Sequence, residues 1–157
     1  MVKTTLMIKS DYLKFLKRRE RSGRGIVDKI GKLNSFYLPL SDWIYSIYKK
    51  DKETKIIGLS GGQGAGKSTI TEILKFIIKK KYGLELCVFS IDDFYKTKRE
   101  RAKMSKNIHP LFLTRGVPGT HDLNLIVKTI KKLKKRKFKT VLIPKFDKST
   151  DDRFKKI

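Results

Sequence analysis

The stretch "GLSGGQGAGKST", Gly58 to Thr69, decides how the chain folds. It holds five glycines and one lysine in twelve residues, directly after the β-branched run of "TKIIGLS" (54–60). A flexible linker would impose no order on the residues after it. Here the next segment is "TITEILKFIIKKK" (69–81), in which Ile70, Ile73, Leu74, Ile77 and Ile78 recur on one broad helical face. Lysines fill its last turn and Gly83 stands just past its end, as at a helix stop. A strand enters and a helix leaves, so the glycines form a built turn.

Gly61, Gly66, Lys67 and Ser68 fit G-x-x-x-x-G-K-[ST], the P-loop pattern. The spacing has a physical cause. A chain of phosphates needs several backbone N–H groups converging on it, which calls for unusual φ/ψ and no Cβ in the way. Gly61, Gly62, Gly64 and Gly66 meet that need, with Gln63 and Ala65 completing the loop. The helix that begins near Lys67 adds its dipole and free N–H groups. Lys67 can reach β- and γ-phosphates, the Ser68 hydroxyl can hold Mg²⁺, and Thr69 is a weaker candidate for an α-phosphate.

Working outward, residues 1–52 form a basic, helical N-terminal segment. Leu13, Phe15 and Leu16 suggest a short helix face, which "RSGRG" (21–25) breaks. In "YLPLSDWIYSIYKK" Pro39 punctuates, Ser41 can cap, and Trp43, Ile44, Ile47 and Tyr48 fall at helical spacing. Residues 53–157 form the loop-bearing domain. It has strands at 54–60, 84–91 ("LELCVFSI") and 139–144 ("KTVLIP"), a short helix near 97–105, and a helix in "THDLNLIVKTIKKLKKRKF". In the latter Thr120 or Asp122 can cap, and Leu123, Ile126, Val127, Ile130 and Leu133 share a face. Strands alternating with helices predict an α/β fold with a doubly wound parallel sheet of about three strands.

Three polar clusters follow predicted strands or sit in their connections, where such sheets hold ligands. "SIDDFYK" (90–96) brings Asp92 and Asp93, which suit either a general base beside a hydroxyl or an N-cap pair. "TRGVPGTHD" (114–122) sets Arg115, His121 and Asp122 around a Gly-Pro-Gly turn. Arginine suits a carboxylate or phosphate, and Asp122 also suits a helix cap. "PKFDKSTDDR" (144–153) again delivers Asp and Arg beyond a strand.

The net charge is +24, from 39 basic and 15 acidic residues, and it draws anions without choosing among them. Lysines outnumber arginines 30 to 9, whereas specific nucleic-acid reading favours Arg. Nucleic acid is thus an unfavoured partner, and runs such as "KTIKKLKKRKFK" read as solvated helix faces. The single cysteine, Cys87, sits in an apolar run and reads as buried and inert. No h-region and no apolar run near the roughly 18 residues of a membrane span is present, so a soluble, cytoplasmic protein is expected.

Together "SGGQGAGKST", "SIDDFYKT", "HPLFLTRGVPGTHD" and "PKFDKSTDDR" resemble the ATP-dependent D-glycerate 3-kinase family of the plant glycerate kinase type. That family is related to uridine kinase, phosphoribulokinase and pantothenate kinase. The resemblance covers about residues 36–153. It implies ATP and Mg²⁺ as cofactors and transfer of the γ-phosphate to the 3-hydroxyl of D-glycerate, a small hydroxy acid. It implies Asp92, which matches the acid of a "D-x-F-Y" motif, as the base, with Asp93 less favoured. It places Tyr95, Arg115, His121 and Arg153 on the substrate side. Family members are longer, so the chain reads as an N-terminal portion whose exposed sheet edge invites self-association. The alternatives are a nucleotide-binding module without turnover and a basic nucleic-acid binder.

Overall fold

The computed structural model describes residues 2–19, 28–135 and 140–154. The chain divides into two compact units, Met1–Val88 and Phe89–Ile157. The "RSGRG" break and part of the lysine run after Lys135 lie outside the described residues.

The first unit is helical. Helix α1 (Val2–Arg19) buries Ile8, Tyr12 and Leu16, four residues apart, and leaves Leu13 outside. Helix α2 (Lys29–Lys32) starts at Asp28, whose side chain accepts from the Gly31 N–H. It runs through a π-helical turn (Leu33–Tyr37) into α3 (Leu38–Asp51). Pro39 explains the widened turn: a proline has no N–H to donate, and its ring clashes with the carbonyl four residues back. The Leu38 N–H reaches back to the Leu33 carbonyl instead. Ser41 is therefore no cap; it lies buried inside α3 and donates to the Tyr37 carbonyl at 2.5 Å. Trp43 of the expected aromatic face is exposed, while Ile44, Ile47 and Tyr48 are half-buried.

Helix α4 (Lys67–Tyr82) forms as its spacing predicts and ends at Gly83 in the left-handed conformation, φ 68°. Its Ile73 and Ile77 close a core with Tyr12, Leu16, Leu33 and Tyr37, and Phe76 stacks on Phe15 with ring centroids 4.8 Å apart. Lys80 pairs with Asp11 at 2.9 Å and Lys81 with Asp42 at 2.5 Å. Tyr45 and Tyr82 stack at 3.9 Å. Helix α1, the π-helical turn and the helix leaving the glycine loop thus share one core.

In the second unit a 3₁₀ turn (Ile91–Phe94) precedes α5 (Lys98–Asn107), which Thr97 and Glu100 open with a reciprocal capping box. A second 3₁₀ turn (Pro110–Leu113) leads to the Gly-Pro-Gly turn, and α6 (Leu123–Lys134) starts where Asp122 accepts from the Leu125 N–H. Strands β1 (Phe146–Asp147) and β2 (Asp152–Arg153) pair antiparallel, Phe146 with Arg153 and Asp147 with Asp152.

The parallel sheet is the main departure from the sequence reading. Among the described residues that short ribbon is the only ladder. Segments 54–60, 84–90 and 140–144 carry no strand hydrogen bonds, and Ile56, Ile57, Leu59, Val88 and Leu142 are exposed. A β-branched run becomes a strand only when a neighbour supplies its hydrogen bonds. Cys87 is likewise exposed rather than buried. Its thiol is nevertheless held above the usual range by partial desolvation, which keeps it a poor nucleophile.

Candidate active site

The glycine loop takes the shape its sequence requires. Gly64 (φ 79°) and Gly66 (φ 75°) are left-handed, a conformation other residues enter only at a cost. The Ala65 N–H closes a turn on the Gly62 carbonyl at 3.3 Å. Gly66 precedes α4 without a side-chain cap, so the first-turn amides of Lys67, Ser68 and Thr69 are left for a ligand. Lys67 Nζ folds over the loop and donates to the Gly61 and Gly62 carbonyls, each at 2.7 Å. Gln63, Ser68 and Thr69 are exposed.

In the second unit the two acids part company. Asp93 is buried: it accepts from the Ser90 N–H at 3.0 Å, takes Lys145 at 3.2 Å and faces the Phe146 N–H at 3.4 Å. Neither acid is the N-cap: Ser90 is, and Asp93 is the third residue of its reciprocal capping box. Asp92 is over one-third exposed; it pairs with Lys148 at 3.1 Å and is hydrogen-bonded by the Tyr95 hydroxyl. Burial, and then the charge and hydrogen bond of Asp92, raise the Tyr95 pKa, so the phenol stays protonated. Tyr95 stacks on His121 at 4.1 Å, and the two residues form an isolated antiparallel bridge. His121 Nε2 is buried and finds no hydrogen-bond partner among the described residues.

Arg115 lies over the Phe146 ring, 5.7 Å from its centroid, and pairs with Asp151. Gly116 (φ 95°) turns the chain beside it, 3.9 Å from the Tyr95 hydroxyl at the place a Cβ would occupy. Arg153 is committed: it pairs with Glu100 at 2.9 Å and Asp122 at 3.4 Å and clasps the starts of α5 and α6. Asp92, Tyr95, Arg115 and His121 are therefore gathered in one unit, while the glycine loop stands in the other.

Comparison with known proteins bears on this arrangement. No family model matches the chain. An uncharacterised kinase of Schizosaccharomyces pombe is 38% identical over 96 residues, 60% of this chain and 34% of that protein. The chloroplastic D-glycerate 3-kinase of Arabidopsis thaliana is 31% identical over 133 residues, 75% of this chain and 28% of that protein. The solved structure of D-glycerate 3-kinase from Cryptococcus neoformans matches with a TM-score of 0.65 and 31% identity, over 76% of this chain and 46% of that one.

The chain belongs to the P-loop kinases. It spans about a third of the length of the curated relatives it matches. Among its described residues no helix is long and apolar enough to cross a membrane, and no group of three or more His, Cys, Asp and Glu gathers as a metal centre.

Two residues of this chain escape the sequence reading. Arg101 is fully buried and binds the carbonyls of Lys96, Leu113 and Asp151 and the Asp151 carboxylate. In "KRERAKMSKN" it looks like any surface charge. Only the helix phase set by the Thr97–Glu100 box marks it, because Arg101 then shares a side with Met104, Ser105 and Ile108. Asp151 is the second, the acid between Arg101 and Arg115. Burial alone would raise its pKa. The hydrogen bonds and charges of Arg101 and Arg115 outweigh that and hold it below the usual carboxylate range.

A folded-state pKa below the unfolded one contributes stability that is complete above the unfolded value, about 3.9, and is lost as pH falls through the folded value. Asp151→Asn is expected to lower the urea midpoint of the second unit near pH 6. The gap to the parent protein should narrow as pH falls below the ordinary aspartate value of about 3.9. A constant gap across that range would show that the Asp151 charge does not contribute.

Proposed function

We propose that the chain carries the ATP-binding loop and acceptor side of a small-molecule kinase that phosphorylates the 3-hydroxyl of D-glycerate. The observation that carries this reading is Asp92, over one-third exposed and close to Tyr95 and Lys148, while its neighbour Asp93 is buried at the start of a 3₁₀ turn. Of the two acids only Asp92 keeps its carboxylate open to solvent, its ionic partner being the surface Lys148, and an accessible carboxylate is what a proton acceptor requires.

In this reading Gly61–Thr69 hold ATP, with the loop amides and Lys67 on the β- and γ-phosphates. The exposed Ser68 hydroxyl fits a Mg²⁺ ligand, since Mg²⁺ takes few protein oxygens beside phosphate and water. When bound, the ion would neutralise charge on the β- and γ-phosphates. Arg115 receives the acceptor carboxylate, and Tyr95 and His121 position its hydroxyls. The acceptor's 3-hydroxyl oxygen bonds to Pγ, its proton passes to Asp92, and the bond from Pγ to the bridging oxygen breaks to release ADP. Arg153 supports the site by clasping α5 and α6 rather than touching substrate.

The test is incubation of the chain with ATP, Mg²⁺ and D-glycerate, followed by detection of 3-phosphoglycerate, with uridine as a second acceptor. Product from uridine and none from glycerate would overturn the acceptor. ATP binding without product from either would leave a nucleotide-binding module. Lys67→Ala is expected to weaken ATP binding by about ten- to a hundredfold, the worth of one or two charge-assisted hydrogen bonds. Calorimetric titration with ATP checks this, and unchanged affinity would show that the loop does not hold the nucleotide.

A further inference from the structure

We propose that Asp151 is a positioning residue. It holds Arg115 as a preset fork for a ligand carboxylate, and buried Arg101 serves as its anchor. The inference rests on the reading of Arg115 as a substrate-side residue and gives that reading its mechanism.

Among the described residues Asp151 is one of three non-glycine residues in the left-handed region, with φ 56°. Such a conformation costs free energy, and it persists only where its surroundings fix it. Arg101 does the fixing. Its Nη2 takes the Asp151 carbonyl at 2.6 Å and Oδ2 at 2.8 Å, while Nε and Nη1 bind the Lys96 and Leu113 carbonyls at 3.2 and 2.8 Å. The side chain of Arg101 is 0% exposed, so this clamp cannot swing out into water.

The other carboxylate oxygen of Asp151, Oδ1, accepts from Arg115 Nη1. Phe146 lies beneath both guanidinium groups, 6.0 Å from Arg101 and 5.7 Å from Arg115. One edge of Arg115 is thereby tied down, while the side chain stays 34% exposed. An arginine has five donors in a rigid plane, and one bond to Asp151 leaves an edge able to take a carboxylate in two parallel bonds. An untethered arginine would lose rotamer freedom on binding, and the tether removes that loss in advance. A lysine could not replace it, because a point charge does not fix the orientation of its ligand.

The experiment is an NMR titration of the Arg115 Nε–Hε resonance with sodium lactate and, separately, with glycerol. Lactate keeps the 2-hydroxy carboxylate but lacks a 3-hydroxyl; glycerol keeps the hydroxyls but lacks the carboxylate. Lactate should shift the resonance of the parent protein and glycerol should not. Asp151→Asn and Asp151→Gly both suit φ 56° and keep the backbone carbonyl for Arg101. Each should weaken lactate binding about tenfold, the worth of a charge-assisted contact, while the backbone spectrum stays dispersed.

Lactate affinity equal to the parent's in either folded variant overturns the proposal, as does a parent resonance that lactate leaves unmoved. Collapse of the spectrum in both variants also overturns it, since Asp151 would then serve folding alone. Phosphorylation of glycerate is a separate readout. The kinase reading can fail while the fork binds lactate, and the fork can fail while glycerate is still turned over.

Discussion

Asp92→Asn should leave ATP binding in place and stop its use. The amide keeps the size of the side chain and its place after Ser90 but can no longer accept a proton at neutral pH. Loss of a positioned general base lowers transfer by about 10²–10⁴-fold. The measurement is glycerate-dependent release of ADP beside a calorimetric ATP titration. The contrast with Asp93→Asn makes the result informative. Asp93 holds the Ser90 N–H, Lys145 and the Phe146 amide region, so its amide variant should lose stability and activity together. Equal turnover by Asp92→Asn and the parent would remove Asp92 from the chemistry.

Arg101→Ala should unfold the second unit. Its guanidinium is completely buried, and three of its nitrogens serve three carbonyls and one carboxylate. Removing one partner of a buried ion pair typically costs about 3–5 kcal/mol, because the groups left behind lose their hydrogen bonds away from water. Three orphaned carbonyls place this variant at the upper end. Arg101→Lys restores the charge but not the plane, so it should recover only part of the loss. Urea unfolding, followed by the dispersion of amide signals from residues 89–154, measures both. Parent-like stability of Arg101→Ala would mean that water satisfies those carbonyls as well as the arginine does.

The helices and the loop were legible because their causes are local. Gly64 and Gly66 announce left-handed turns, Ile73 and Ile77 announce a buried stripe, and Asp122 announces a cap; each arises from spacing within a few residues. The acid pair was legible as a polar cluster but not in which acid the fold would bury. Whether Asp92 or Asp93 turns inward depends on the phase of a turn that Ser90 sets. The predicted strands do not form among the described residues. Residues 54–60 and 84–90 have strand composition, but a ladder depends on partners that composition does not specify, and these segments have none among the described residues. Arg101 and Asp151 were invisible because their meaning lies in a contact 50 residues away along the chain.

The widened turn before Pro39 reaches further than its own five residues. An extra residue in one turn advances the helix by about 100°. The turn takes that residue up without losing the inward stripe: Leu33, Tyr37 and Ser41, four residues apart, all stay buried. Trp43 emerges into solvent while Ser41 turns inward. A single-residue deletion within Leu33–Tyr37 should therefore disturb the packing of α3 more than most substitutions within it.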